Sequence, residues 1–307
     1  MKYLICENYN LSGFGNQLRA IAGWYFLAQL LNRQLVIKNR AFNTLFKSPY
    51  SNGDFSYNFS SSQCINVEDI SSWYDLDLNS LDAPFLVAGG GRPMIYDLQQ
   101  HKIHGKQLNS YLDSHNIPRG HDVARRHAYK FLIEGFKDDL PPLGGLHDCH
   151  RHAAHYNYQC IQFRSFFDAG YSGIDNVDKV LNKADSFLSR SPDSLDTYIL
   201  SDSHPLGVYV NHQLSNRYPA RNFYCEKRSS CSSCKGTSAT LHSGFLVDAS
   251  LAPKSYIKQW EECAVSTILS SLDGWRLLAN SCAVLSSSTS FSQSACEIFN
   301  IPSYDLS

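Results

Sequence analysis

A strand-length apolar run, Tyr3-Leu4-Ile5-Cys6, leads into the turn Gly13-Phe14-Gly15-Asn16-Gln17 and then a helix-length apolar segment, Leu18 to Leu31. A second apolar run, Leu35-Val36-Ile37, follows Asn32-Arg33. Strand, glycine turn, helix and strand in that order form a βαβ unit. Such a unit commits the chain to parallel strands, because only a crossover joins neighbours that point the same way. The glycine turn then opens at the carboxyl edge of the sheet, where ligands of α/β proteins lie. Two glycines let the backbone turn sharply and approach a ligand closely. The helix behind them offers unbonded N–H groups and a positive dipole end, which suit a phosphate. The same pattern also serves as a plain tight turn. It is not the dinucleotide fingerprint, because Leu18 stands where a third glycine is needed.

The alternation continues. Phe85–Ala88 reads as a strand ending in Gly89-Gly90-Gly91-Arg92, and 121–136 as a helix. Residues 39–82 read as loops and short helices. Paired prolines and glycines at Pro141-Pro142-Leu143-Gly144-Gly145 read as a hinge. Beyond it come a strand over 160–164, a helix over 176–189, a strand over 197–200 and a loop-rich stretch over 213–245. A striped helix over 254–272, a strand over 282–285 and a helix from Phe291 complete the chain. Strands alternating with helices on both sides of a hinge describe two doubly wound α/β domains, 1–145 and 146–307, with the ligand expected in a cleft between them.

With 43% hydrophobic and 18% charged residues, the 307-residue chain has the material for a large core. A formal net charge of −1 argues against a nucleic-acid partner or a polybasic membrane surface. Met1-Lys2 leads directly into an apolar run too short for a signal-peptide core, and no segment approaches the length of a membrane span. The chain as it stands therefore suits the cytoplasm, and a longer protein containing it the Golgi or ER lumen. Cys225, Cys231 and Cys234 with His242 match a zinc set in number, but with no second Cys-x-x-Cys they read rather as a disulfide or free thiols on a loop. His147, His150, His152 and His155 read as a solvated linker rather than a metal site.

Two further constellations suit an anion. Arg164 ends a strand and is followed by Asp168; a guanidinium fork at that edge matches a diphosphate, or the two side chains form an ion pair that holds the loop. Ser286-Ser287-Ser288-Thr289-Ser290 joins a strand to a helix, so its hydroxyls and N–H groups either converge on a ligand or cap the helix.

The opening run resembles the protein O-fucosyltransferases, whose first motif reads Gly-x-Phe-Gly-Asn-Gln before a helix ending Ala-x-Leu-Leu-Asn-Arg. Gly13–Gln17 and Ala28–Arg33 match it, less one residue before Phe14. The family's second motif is His-x-Arg with an acid four residues after the arginine; Arg164 and Asp168 fit, and Gln162 replaces the histidine. The third is an acid followed sixteen residues on by Ser-Ser-Phe, matched by Asp273 and Thr289-Ser290-Phe291. The wider GDP-fucose-dependent superfamily, including α1,2- and α1,6-fucosyltransferases, shares these patches.

The resemblance implies a GT-B architecture with two Rossmann-like domains facing a cleft. It also implies GDP-fucose as donor, inversion at the anomeric carbon, and neither a metal nor another cofactor. Arg164 would then grip the β-phosphate and the glycosidic oxygen. Phe14, Gly15, Asn16, Ser288, Thr289 and Ser290 would surround the remaining phosphate and ribose oxygens, with Asp273 and Phe291 near the guanosine. For the general base Asp168 comes first, unless it only orients Arg164, and Glu7 second; Ser12 stands where one branch carries a glutamate. The acceptor would be a hydroxyl of a glycan or protein. Another nucleotide sugar on the same fold, or an inert GDP- or glycan-binding module, are the competing readings.

Overall fold

The computed structural model describes residues 2–7, 14–37, 64–66, 74–89, 95–134, 157–163, 177–201, 204–225, 272–287 and 290–306. Its backbone groups into two units, Met1–Ser12 with Asn16–Leu140, and Pro141–Ser307 together with Gly13–Gly15.

The front unit holds β1 (Tyr3–Glu7), α1 (Phe14–Leu30), β2 (Gln34–Ile37), β3 (Cys64–Asn66) and β4 (Phe85–Gly89). Three helices follow: α2 (Ile95–Gln100), α3 (His104–Ser114) and α4 (His121–Glu134). Its sheet is parallel throughout, in the order β2-β1-β4-β3. Most of α1 is buried, including Trp24, Phe26, Leu27 and Ala28 at 0% exposure, because its residues are apolar around almost the whole circumference. The helix starts at Phe14, four residues before the apolar segment that announces it.

The rear unit holds β5 (Tyr158–Phe163), α5 (Val177–Leu188), β6 (Asp196–Ser201), α6 (His204–Arg217) and β7 (Phe223–Cys225). It continues with α7 over 272–279, then β8 (Ala283–Ser286), α8 (Ser290–Phe299) and β9 (Ser303–Asp305). This sheet is also parallel, in the order β7-β6-β5-β8-β9. β5 lies at its centre and is buried along all six residues, as a strand covered on both faces must be. One face packs Ile161, Phe163, Ile199 and Leu285 against Leu181, Ala184, Phe187 and Leu188 of α5 and Val210 and Leu214 of α6. On α5 the exposed Asp178, Lys179, Asn182 and Lys183 alternate with that stripe at helical spacing. The opposite face carries Tyr158, Tyr198 and Tyr224 in a ladder with centroid spacings of 4.8 and 5.0 Å.

The expected strands and helices appear within two residues of their sequence-based bounds, apart from the early start of α1 and the 254–272 helix, which lies outside the described residues except for Leu272. That helix was expected to end at Leu272, before Gly274; the chain is instead helical over 272–279, with Leu272, Trp275, Leu277 and Leu278 buried. Burial there outweighs the low helix propensity of a single glycine. β7 sits inside a stretch read as loop, because three half-buried residues carry no periodic signal.

Candidate functional site

The rear chain leaves β5 outward through β6 and β7, then returns to place β8 and β9 on the other side. Strand order therefore reverses between β5 and β8, and ligands of open α/β sheets bind outside the carboxyl ends at such a reversal. Phe163 ends β5 immediately before Arg164, and Ser286 ends β8 immediately before the Ser/Thr turn. Gln162 and Ser286 are in direct register. The Ser287 N–H donates to the Gln162 carbonyl at 3.2 Å, so the two strand ends are tied together. The second and third sequence constellations, more than a hundred residues apart in the chain, thus leave from one edge.

Ser287 adds a residue that motif matching passed over. Its Oγ is buried and has no hydrogen-bond partner among the described residues. A buried hydroxyl left unbonded costs about 1–3 kcal/mol, so a partner supplied by a ligand would be favoured there. The signal was the run of hydroxyls itself.

The third motif is one physical unit. Trp275 Nε1–H donates to Ser294 Oγ at 2.9 Å, and that hydroxyl donates in turn to the Phe291 carbonyl at 2.9 Å. Asp273 lies two residues before the tryptophan and Phe291 three before the serine, so this chain of bonds fixes the separation of α7 and α8. The Tyr158 hydroxyl donates to the Leu277 carbonyl at 2.9 Å, anchoring α7 on the face of β5. Asp273 stands one turn before Leu277, towards the carboxyl edge. It is half-buried, and its charge partly offsets the lowering of the Arg276 pKa that burial causes. Ser290 opens α8, and Phe291, half-exposed, is in its first turn.

In the front unit β1 lies between β2 and β4, and strand order reverses between β1 and β4. Glu7 and Gly89 end these two strands in register. Phe14, Gly15 and Asn16 form the first turn of α1, with Gly15 buried. Arg164, Asp168, Ser288 and Thr289 lie outside the described residues, as do Cys231, Cys234 and the histidines of 147–155.

Asn32 and Arg33, part of the first motif match, serve the fold at the opposite edge. Asn32 adopts φ 48°, and the Arg33 N–H donates to the Ala28 carbonyl at 2.9 Å, a left-handed C-terminal cap on α1. The Arg33 guanidinium, 7% exposed, donates to the carbonyls of Ala83 (2.8 Å), Leu81 (3.0 Å) and Tyr3 (3.4 Å). It clamps the amino ends of β1 and β4; burial lowers its pKa, against the opposing effect of Asp82.

No family model matches the chain, and no curated protein matches it. Solved structures do. The chain is similar to Arabidopsis thaliana FUT1, a mutant in complex with GDP, at 13% identity over 99% of this chain and 70% of that one, with a TM-score of 0.59. It is similar to the fucosyltransferase NodZ from Bradyrhizobium at 14% identity over 96% and 92%, with a TM-score of 0.51. NodZ alpha-1,6-fucosyltransferase co-crystallised with GDP gives 14%, 96%, 92% and 0.50. At such identities the likeness is one of fold. The chain has the mixed α/β, parallel-sheet fold of these proteins, the GT-B class.

Proposed function

We propose that the protein is an inverting fucosyltransferase that moves fucose from GDP-fucose to a hydroxyl of a glycan or protein. One observation carries this reading: the strand that delivers Arg164 and the strand that delivers Ser287–Ser290 end side by side at the reversal of the rear sheet. Guanidinium, hydroxyls and the N-terminus of α8 are the groups a diphosphate needs. Likeness in fold to fucosyltransferases, two of them holding GDP, supports guanine and fucose over other donors.

The chemistry follows from charge. As the glycosidic bond breaks, the β-phosphate gains negative charge, and donors already aimed at it lower the barrier. Arg164 takes that part, and with it the work a divalent metal does elsewhere, so no metal is required. Asn16, the Gly15 backbone, Ser288, Thr289 and Ser290 hold the other phosphate and ribose oxygens, with Phe14 beside them, and Asp273 and Phe291 attend the guanosine. Asp168 either orients Arg164 or takes the acceptor proton.

Calorimetry with GDP and UDP, followed by release of GDP from GDP-fucose and GDP-mannose in the presence of a chelator, tests the reading. Binding of GDP but not UDP, with fucose released at an undiminished rate in chelator, is expected. Tight UDP binding would turn the assignment to another nucleotide sugar. GDP binding without turnover would leave a binding module.

A further inference from the structure

We infer that Asp305 holds the ribose diol of the nucleotide, a role that rests on the proposed reading of the rear unit as a nucleoside-diphosphate site. β8, α8 and β9 form one βαβ unit, since β9 pairs with β8 in parallel and α8 joins them. Its first turn is the hydroxyl run proposed to hold the diphosphate, and its second strand ends in Asp305. In dinucleotide-binding βαβ units an acidic side chain about 20 residues beyond the phosphate turn takes the ribose hydroxyls. Neighbouring strands lie about 4.8 Å apart, a step that a ribose spans when its phosphate sits on the first turn. Among the described residues, the other rear strands end in Phe163, Ser201, Cys225 and Ser286, none of them a carboxylate.

The direction of the side chain follows from its neighbours. Tyr304 packs on Phe187 of α5 with a centroid distance of 5.4 Å, and Leu306 belongs to the core cluster on that same face. Asp305 between them therefore points to the opposite face, as alternation along a strand demands. That is the face of α7 and, through the Trp275–Ser294 bond, of α8. Asp305 is in register with Ser286, and Ser286 with Gln162, so the three form a row at the carboxyl edge. Bonds at both ends of β9 fix its place in that row: the Val284 N–H donates to the Pro302 carbonyl at 2.9 Å, and the Leu306 N–H to the Ser286 carbonyl at 2.8 Å. Gln162 and Ser286 are buried, whereas Asp305 is exposed. An ionised carboxylate only accepts hydrogen bonds, and it would repel a diphosphate set against it. The two hydroxyls of a ribose are the donors that suit it.

2′,3′-Dideoxy-GDP keeps the base and the diphosphate and lacks the diol, so calorimetry of the full chain with GDP and with this analogue is the test. The wild-type protein should bind GDP about 10- to 100-fold tighter than the dideoxy nucleotide, as hydrogen bonds to a charged group imply. Asp305→Ala should lose that margin and bind the dideoxy nucleotide as the wild type does. Equal affinity of the wild type for the two nucleotides overturns the role, and so does a margin that survives in Asp305→Ala. An equal loss of affinity for both would make Asp305 a partner of the α8 dipole and overturn the ribose contact. If Asp305→Ala fails to fold, Asp305→Asn decides: with one acceptor oxygen and no charge it should keep only a few-fold margin, and a full margin overturns the role. If UDP binds and GDP does not, the guanine reading falls, and UDP against 2′,3′-dideoxy-UDP still decides Asp305. Binding of neither overturns both.

Discussion

Three arginines, at 33, 164 and 221, show how little a residue type says without its place. Arg33 and Arg221 are buried at 7% and 4% exposure and bind backbone carbonyls at the amino side of the sheets. Arg33→Ala should cost on the order of 3 kcal/mol, since charge-assisted bonds to three carbonyls disappear together. Arg33→Lys should recover little of it, because an ammonium cannot reproduce the fork; urea unfolding of both variants checks this. In the proposed mechanism Arg164 acts on charge that appears only during reaction. Arg164→Ala should therefore lose about 10²–10³-fold in kcat while GDP binding weakens but survives; transfer at the wild-type rate would remove it from the mechanism. Cys296 offers a third check at this scale. Burial foremost, then the charge of Glu297, pushes its thiol from 9.0 up to about 12. Above pH 9 the unfolded chain releases this proton and the folded one keeps it, so stability falls as pH rises from 9 towards 12. Cys296→Ala should flatten that part of the pH–stability curve.

At the scale of elements, the helix ends are specified locally. Asn32, Asn116 and Asn300 adopt φ of 48°, 54° and 55°, and in each the next N–H returns to a carbonyl five residues back, at 2.9, 2.8 and 3.0 Å. Asparagine tolerates this conformation and alanine does not. Asn116→Ala should cost about 1–2 kcal/mol, and Asn116→Gly should be nearly neutral, as thermal melts would show. The Leu-Asn-Arg of the first motif is thus explained by capping and clamping. The junction of α2 and α3 is set by close approach instead: a methyl at Gly105 would stand 2.5 Å from the Gln99 carbonyl oxygen. Nothing in the residues around Gly105 announces that constraint, because it is made by the fold of 95–105 upon itself.

For the whole molecule, ligand linkage is the most direct test of the proposed function. A nucleotide that binds only the folded chain stabilises it by mass action, by roughly 2.7 kcal/mol at a concentration a hundred times the dissociation constant. GDP should raise Tm and UDP should not. By itself the sequence determined the class of fold, since glycine turns between apolar runs and helix-length segments admit few solutions besides parallel sheets. It also determined the chemical character of the second and third motifs, because arginine and hydroxyl runs at strand ends are legible as such. Only the tertiary structure decided that β5 and β8 are neighbours, that the Ser287 N–H bonds the Gln162 carbonyl while its Oγ is buried, that Asn32 and Arg33 belong to the scaffold, and that Glu7 ends a strand at a reversal. Strand order is the reason. It is set by which buried faces pack best across contacts between residues distant in the chain, and no local pattern of residues encodes it.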